Sequence, residues 1–488
     1  MRNVANFATS SLLVSVTSAQ VVQWDIQRRG DTAHRLNRRA DGSVEEVITN
    51  EQTRGGYFAS CSVGTPSQDV TLQLDTGSSD IWVPASSATV CEETSSQGGG
   101  CTFGSFDKDK STTARVLNND FKISYVDGSS SQGQYISDTF GIGDVKLENT
   151  TMGYGLSTDI PYGLVGVGYA LNEASVAQPV GIYNNLPLVM RNEGHIATNA
   201  YSLWLNDLDA SKGNILFGGI DTDKYMGDLI RVNVEMDARV ENYTSFQVKL
   251  TSLEAHSSSG EDALSSSSFP ITVVLDSGTT FSYLPTDLAE EVWQEAGAEY
   301  TIVSEDGSGV PLISCDLANS NGYFSFGFGG DGGPVIKVGM DELVIQSGTL
   351  NGQIVCQFGI QNFSSTGPFL LGDTFLRSAY VVYDLENNEI GLAPTDFNAT
   401  SSKIVAFPSQ GATIPSSTAA PSQDAANSGP SSKPNYNARQ GFKDLSGQDN
   451  SDVDSAGSLP HALDFTQLMV MGASMGLVMF GGGMFLLF

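Results

Sequence analysis

Positive charge is what this chain has least of. Only 24 lysines and arginines stand against 55 aspartates and glutamates, giving a formal net charge of −31 over 488 residues. A polyanion of this size repels nucleic-acid phosphates and anionic lipid surfaces, so charge recruits neither as a partner. The excess has a bland reading, solubility. It has a second reading too, since a protein working in acid can carry many carboxyls that are protonated there. Histidine is scarce as well. His34, His195, His256 and His461 show no metal-ligand spacing, so no metal or other cofactor is expected. Convincing helical stretches are few. Residues 286–299 form one, with Thr286 as an N-cap candidate and Leu288, Val292 and Trp293 on one side.

The ends carry targeting features. Arg2 precedes an apolar stretch from Phe7 to Val16 and then Thr17-Ser18-Ala19, the order of a secretory signal over residues 1–19. Residues 20–39 are polar and hold two dibasic pairs, Arg28-Arg29 and Arg38-Arg39. They read as the pro-segment of a zymogen, removed before a body that begins near Ala40, with a disordered basic arm as the alternative. Such a basic segment could lie against an acidic body at neutral pH and let go as carboxyls protonate. At the other end, Leu468 to Phe488 contains no charged residue. Upstream are a mostly polar spacer, Ser458 to Gln467, and the small triplet Ser455-Ala456-Gly457. Together they have the form of a glycosylphosphatidylinositol signal over 456–488, with Ser455 as the candidate lipid-bearing residue. A plain tail-anchored helix is the alternative. Either way the body is expected to be membrane-tethered, on the extracellular face of the plasma membrane or in the cell wall. Between 398 and 455, Ser, Ala, Pro, Gln and Asn dominate, and the segment is expected to be a disordered stalk.

Five cysteines fit this oxidising route. Local pairing, Cys91 with Cys101 and Cys315 with Cys356, is the simplest arrangement, although sequence does not fix connectivity. Cys61 is left over in an apolar run and is expected to be a buried free thiol. Sequons at Asn149, Asn242, Asn362 and Asn398 are consistent with secretion and glycosylation.

From about residue 53 to 396 short runs of Val, Ile, Leu, Tyr, Phe and Thr alternate with Gly, Asp, Asn and Ser clusters, the pattern of an all-β body. Within it the chain repeats itself. VTLQLDTGSSDIWVP (residues 70–84) parallels ITVVLDSGTTFSYLP (271–285), each an apolar strand, then Asp, a hydroxyl residue, Gly, two more hydroxyl residues, and Pro nine positions after the Asp. A second echo follows in each half, Leu164-Val165-Gly166 and Leu370-Leu371-Gly372. Two lobes, 40–232 and 233–397, each supplying one carboxylate, are the natural reading. Gly77 permits a tight turn beside Asp75, and flanking hydroxyls can fix the carboxylate. If Asp75 and Asp276 meet, both cannot comfortably ionise, and one proton is shared. The ionised member can then act as general base on a water while its partner supplies a proton, so no covalent intermediate is required.

These residues resemble the pepsin-like aspartic proteases, and within them the fungal lipid-anchored yapsin and candidapepsin-like group, over roughly residues 53 to 396. Carrying the resemblance are Asp75-Thr76-Gly77, Asp276-Ser277-Gly278, Trp82, FKISYVDGSSSQGQY (121–135), LFGGIDTDKY (216–225) and FLLGDTFLRSAYVVYD (369–384). It implies a bilobal fold of two β-rich lobes around a cleft, Asp75 and Asp276 as catalytic carboxylates, and endopeptidase action on polypeptides by a monomer. It further implies that Thr76 and Ser277 brace the two active-site loops, and that Ser78 and Thr279 hydrogen-bond the outer aspartate oxygens. Tyr125 would belong to a flap hairpin with Trp82 as its partner, and Asp127 and Gly128 would lie at the tip. Val126 departs from the glycine common at that tip. Asp127 resembles an acidic position that favours basic residues at the cleavage site, with a solvated turn aspartate as the alternative. An inactive pepsin-like binding protein and a cell-surface glycoprotein are the competing functional readings.

Overall fold

The computed structural model describes residues 21–28, 56–92, 100–179, 181–210, 212–264, 270–302, 309–350, 353–363, 369–423 and 434–443. The proposed signal, the Arg38-Arg39 pair, Ser455 and the apolar tail lie outside the described residues. Within them the chain is mainly β, as its β-branched and aromatic runs dictate.

The duplication is structural. Strand Gln68–Asp75 ends on the first aspartate, and strand Ile271–Leu275 ends one residue before the second. Each has a parallel neighbour supplied by the second sequence echo. Gly163–Gly166 places Gly166 opposite Asp75, and Phe369–Leu371 places Leu371 opposite Leu275. After its Asp turn the chain returns antiparallel against that same neighbour, Ile81 opposite Val165 and Tyr283 opposite Leu370. This crossing leaves no room for side chains. A Cβ on Gly166 would stand 2.5 Å from the Ser79 nitrogen, and one on Gly372 would stand 2.4 Å from the carbonyls of Thr279 and Phe281.

The two halves share a sheet. Ala200–Trp204 pairs with Ala379–Asp384, and Leu229–Asn233 pairs with Glu389–Pro394, so strands from both sides of residue 233 form one floor. Strand Val22–Arg28, within the expected pro-segment, lies in this same sheet between Lys212–Phe217 and Tyr57–Val63. Its alternation puts Val22, Trp24 and Ile26 inward, all buried. Residues 22–28 of that segment are therefore integrated into the sheet.

The expected stalk is also different from its composition. Ile404–Ala406 pairs with Gly219–Asp221, and Ser417–Ala419 runs parallel to Leu229–Asn233. Phe407 and Ile414 are buried under the floor, and a short helix, Arg439–Phe442, buries Phe442 on the second lobe. A disordered stalk over 398–455 is thus corrected for residues 398–423 and 434–443. A few apolar side chains on a polar segment suffice when an existing surface receives them, because ordering then has burial to offset it.

The helix expected at 286–299 spans Thr286–Ala296, with Pro285 rather than Thr286 in the N-cap position, and ends at Gly297 with φ 79°. Disulfides join Cys91 to Cys101 and Cys315 to Cys356. Cys61 is free and buried, its thiol donating to the Val70 carbonyl at 3.5 Å, and burial raises its pKa.

Candidate active site

Asp75 and Asp276 come together at the junction of the lobes, both fully buried. Their turns are built alike. In the first, the Gly77 N–H donates to Asp75 Oδ1 at 2.8 Å and the Ser78 hydroxyl donates to Oδ2. In the second, the Gly278 N–H donates to Asp276 Oδ1 at 2.8 Å and the Thr279 hydroxyl to Oδ2 at 2.6 Å. Gly77 faces the opposite carboxyl so closely that a Cβ there would stand 2.5 Å from Asp276 Oδ1. This close approach, more than turn flexibility, is what requires glycine.

The two carboxyls face each other across this junction, and each shifts the titration of the other. Burial pushes Asp75 well above the usual carboxylate range, and the Asp276 charge pushes it further; hydrogen bonds from Ser78 and Gly77 pull it back only in part. Burial raises Asp276 too, while donors from Thr279 and Gly278 and the Asp75 carboxyl act to lower it. Two desolvated acids with one proton between them titrate as a unit.

A reciprocal brace holds the turns together. Thr76 Oγ1 donates to the Leu275 carbonyl at 2.9 Å and accepts from the Ser277 N–H at 2.9 Å. Ser277 Oγ donates to the Leu74 carbonyl at 3.2 Å and accepts from the Thr76 N–H at 3.2 Å. Serine at 277 therefore performs the same bonding as threonine at 76.

A hairpin of Arg115–Ser124 and Ser130–Ile142 carries Tyr125 at its tip. Gly128 there has φ 85°, which the tip requires and Val126 does not disturb. Asp127 Oδ1 accepts from the Ser129 N–H at 2.8 Å, closing the tip on itself. Tyr125 is buried, and its Oη accepts from Trp82 Nε1 at 2.8 Å. Burial, and after it the Asp75 charge, raises the Tyr125 phenol, so it stays protonated.

Several neighbours were not read from the sequence. Asn172 Nδ2 donates to the Gly77 carbonyl at 2.9 Å, fixing the first turn from behind. Asp80 and Glu173 are buried beside the flap's aromatic cluster, and no described cation pairs with either. Asp80 accepts from the Ala174 N–H at 2.7 Å and the Tyr183 hydroxyl at 2.8 Å; Glu173 accepts from the Tyr183 N–H at 2.9 Å. Burial lifts Asp80 to about 6 and Glu173 to about 9. The sixth residue of the first motif is Asp80 itself, an acid where the duplicate has Phe281, which was the available signal. Among the described residues no group of His, Cys, Asp or Glu could hold a metal ion. Of the sequon residues, Asn149, Asn242 and Asn398 are exposed, whereas Asn362 is half-buried with its amide on Thr286 Oγ1 at 3.4 Å.

Comparison with known proteins matches residues 56–395 to the family described as eukaryotic aspartyl protease. The chain is 40% identical to "Probable aspartic-type endopeptidase opsB" of Aspergillus oryzae, covering 82% of this chain and 81% of that protein. It is 36% identical to "Acid protease" of Saccharomycopsis fibuligera, over 74% of this chain and 87% of the other. "Secreted aspartic protease 3" of Candida albicans is 35% identical, over 75% and 85% of the respective chains.

Proposed function

Since the chain belongs to the eukaryotic aspartyl protease family and is an aspartic endopeptidase, we propose that Asp75 and Asp276 are its catalytic pair and that it works in acid, tethered at the cell surface. The observation that carries this reading is the meeting of two fully buried carboxyls, one from each half, each held by a backbone N–H and a hydroxyl.

In the proposed reaction one carboxyl is ionised and the other protonated. The ionised member takes a proton from water as its oxygen bonds to the scissile carbonyl carbon, and the protonated member gives its proton to the carbonyl oxygen. The result is a neutral gem-diol, with the pair's single proton now on the other carboxyl. Collapse breaks the C–N bond as a proton passes to the leaving amine and a diol proton returns to the pair. No covalent enzyme intermediate forms. Water exclusion falls to the Tyr125 hairpin, which closes over the substrate while Trp82 fixes the phenol. A coupled pair is half-protonated between its two macroscopic pKa values, the state this reaction needs; the acid assignment rests on the large excess of carboxyls over basic residues in the chain. Surface tethering rests on the charge-free C-terminal stretch and the small-residue triplet before it.

The test is cleavage of an unfolded protein between pH 3 and 6. Asp75→Asn and Asp276→Asn should each lower the rate by at least about a hundredfold, and a statine-type transition-state mimic should block the wild type. Retained turnover in either variant removes the proposed pair. Asp127 is the proposed source of a preference for basic residues near the scissile bond. Peptide-library profiles of wild type and Asp127→Ala should differ there, and identical profiles end that assignment.

A further inference from the structure

The family match stops at residue 395, yet residues 434–443 return to the second lobe and seat in a site shaped for them. Asp262 Oδ2 accepts from the Asn435 N–H at 2.6 Å and the Asn437 N–H at 3.3 Å. Ser257 Oγ donates to the Ala438 carbonyl and Ser259 Oγ to the Asn437 carbonyl, both at 2.6 Å, and the Gly441 N–H donates to Ser259 Oγ at 2.8 Å. Ala438 and Phe442 are fully buried, and the Phe442 ring stacks on Phe324 with centroids 5.2 Å apart. Two glycines make the fit. A Cβ on Gly322 would stand 2.2 Å from the Phe442 ring, and one on Gly441 would stand 2.3 Å from Ser257 Oγ. Lobe side chains bonding its backbone, a buried aromatic anchor and mutual close approach are the features of a docked peptide.

We propose that residues 434–443 are a clasp, a peptide plug in a groove of the second lobe that holds the C-terminal tail to the catalytic body without needing the covalent link through 424–433. The tail then departs from the flank formed by Gln247–Ser257, Gly260–Ala263 and Thr286–Ala296, and not from the floor strand ending at Pro394. Proteolysis between 423 and 434 leaves the body attached to whatever the tail carries, and only a cut beyond Lys443 frees it. The clasp itself stands whether or not the tail bears a lipid; its role in surface retention rests on the tethered reading above.

The experiment substitutes a site-specific protease sequence into 424–433 of the full chain, cuts it, and follows the C-terminal fragment by size exclusion. The fragment should co-elute with the body and separate in denaturant. Gly441→Val, in the same cut chain, should release it while peptidase activity on unfolded protein stays within about twofold of wild type. A fragment that elutes free with the native 434–443 sequence overturns the clasp. Fragment retention in Gly441→Val shows that the groove is not the grip, and overturns it equally. Loss of surface retention with clasp binding intact would strike the tethered reading alone.

Discussion

Thr76 and Ser277 each use one hydroxyl twice, once as donor to the opposite strand and once as acceptor from the opposite N–H. Thr76→Val keeps the side-chain shape but leaves the Ser277 N–H and the Leu275 carbonyl buried without partners. The expected cost is on the order of 1–3 kcal/mol in denaturant unfolding, with a parallel fall in kcat/KM because the carboxyls lose their spacing. A variant of unchanged stability would mean the brace is not shared between the lobes as described. Gly77→Ala should behave differently. Its methyl collides with Asp276 and not with the core, so activity should collapse while the unfolding midpoint moves little. At the flap, Tyr125→Phe removes the acceptor of Trp82 Nε1, and kcat/KM should drop with the fold intact.

Single elements were legible where period and repetition reinforced one another. The two Asp strands, the returning Gly strands and the flap hairpin could be located from alternation, turn residues and matched frames. The buried acid pair could not. Asp80 sits in a motif whose duplicate carries Phe281, and Glu173 lies in a short 3-10 connection with no periodic signal. Yet these two bear on pH behaviour. Their folded pKa values, about 6 and about 9, lie above those of an unfolded chain, near 4. The folded state therefore binds protons at these two groups that the unfolded state releases, and their contribution to stability is greatest below about pH 4. It falls as pH rises through the window from about 4 to 6 for Asp80, and on towards 9 for Glu173. Thermal unfolding should show a midpoint that declines from acid to neutral pH, and Glu173→Gln should flatten the decline above pH 6. An equally steep decline in that variant would place the sensitive group elsewhere.

For the molecule as a whole, composition misled beyond the C-terminal end of the family match. Residues 398–423 are rich in Ser, Ala, Pro and Gln, and their few apolar residues have no periodicity of their own, because the receiving surface and not the segment sets the spacing. Phe407 and Ile414 fill a cluster with Ile220, Leu229, Tyr380 and Val382 on the underside of the shared floor. Ser402 Oγ and the Lys403 N–H both satisfy the buried Asp221 carboxylate, at 2.6 and 2.7 Å. A chain ending at residue 397 contains every catalytic feature and the full family match, so on sequence grounds it should be intact. On structural grounds it strips the cover from an apolar floor, leaves Asp221 short of two donors and removes the segment 434–443 seated on the second lobe. Phe407→Ala in the full chain should cost roughly 3–5 kcal/mol, and removal of residues 398–423 more, since it adds the loss at Asp221 to the lost burial. The check is the unfolding midpoint and soluble yield of the full chain, Phe407→Ala and the chain ending at 397, measured at one acid pH. The floor joins strands of both lobes, so the damage should reach the carboxyl pair, and specific activity of whatever folds should fall with stability. Equal midpoints for all three would make the segment a passenger on the surface instead of part of the body.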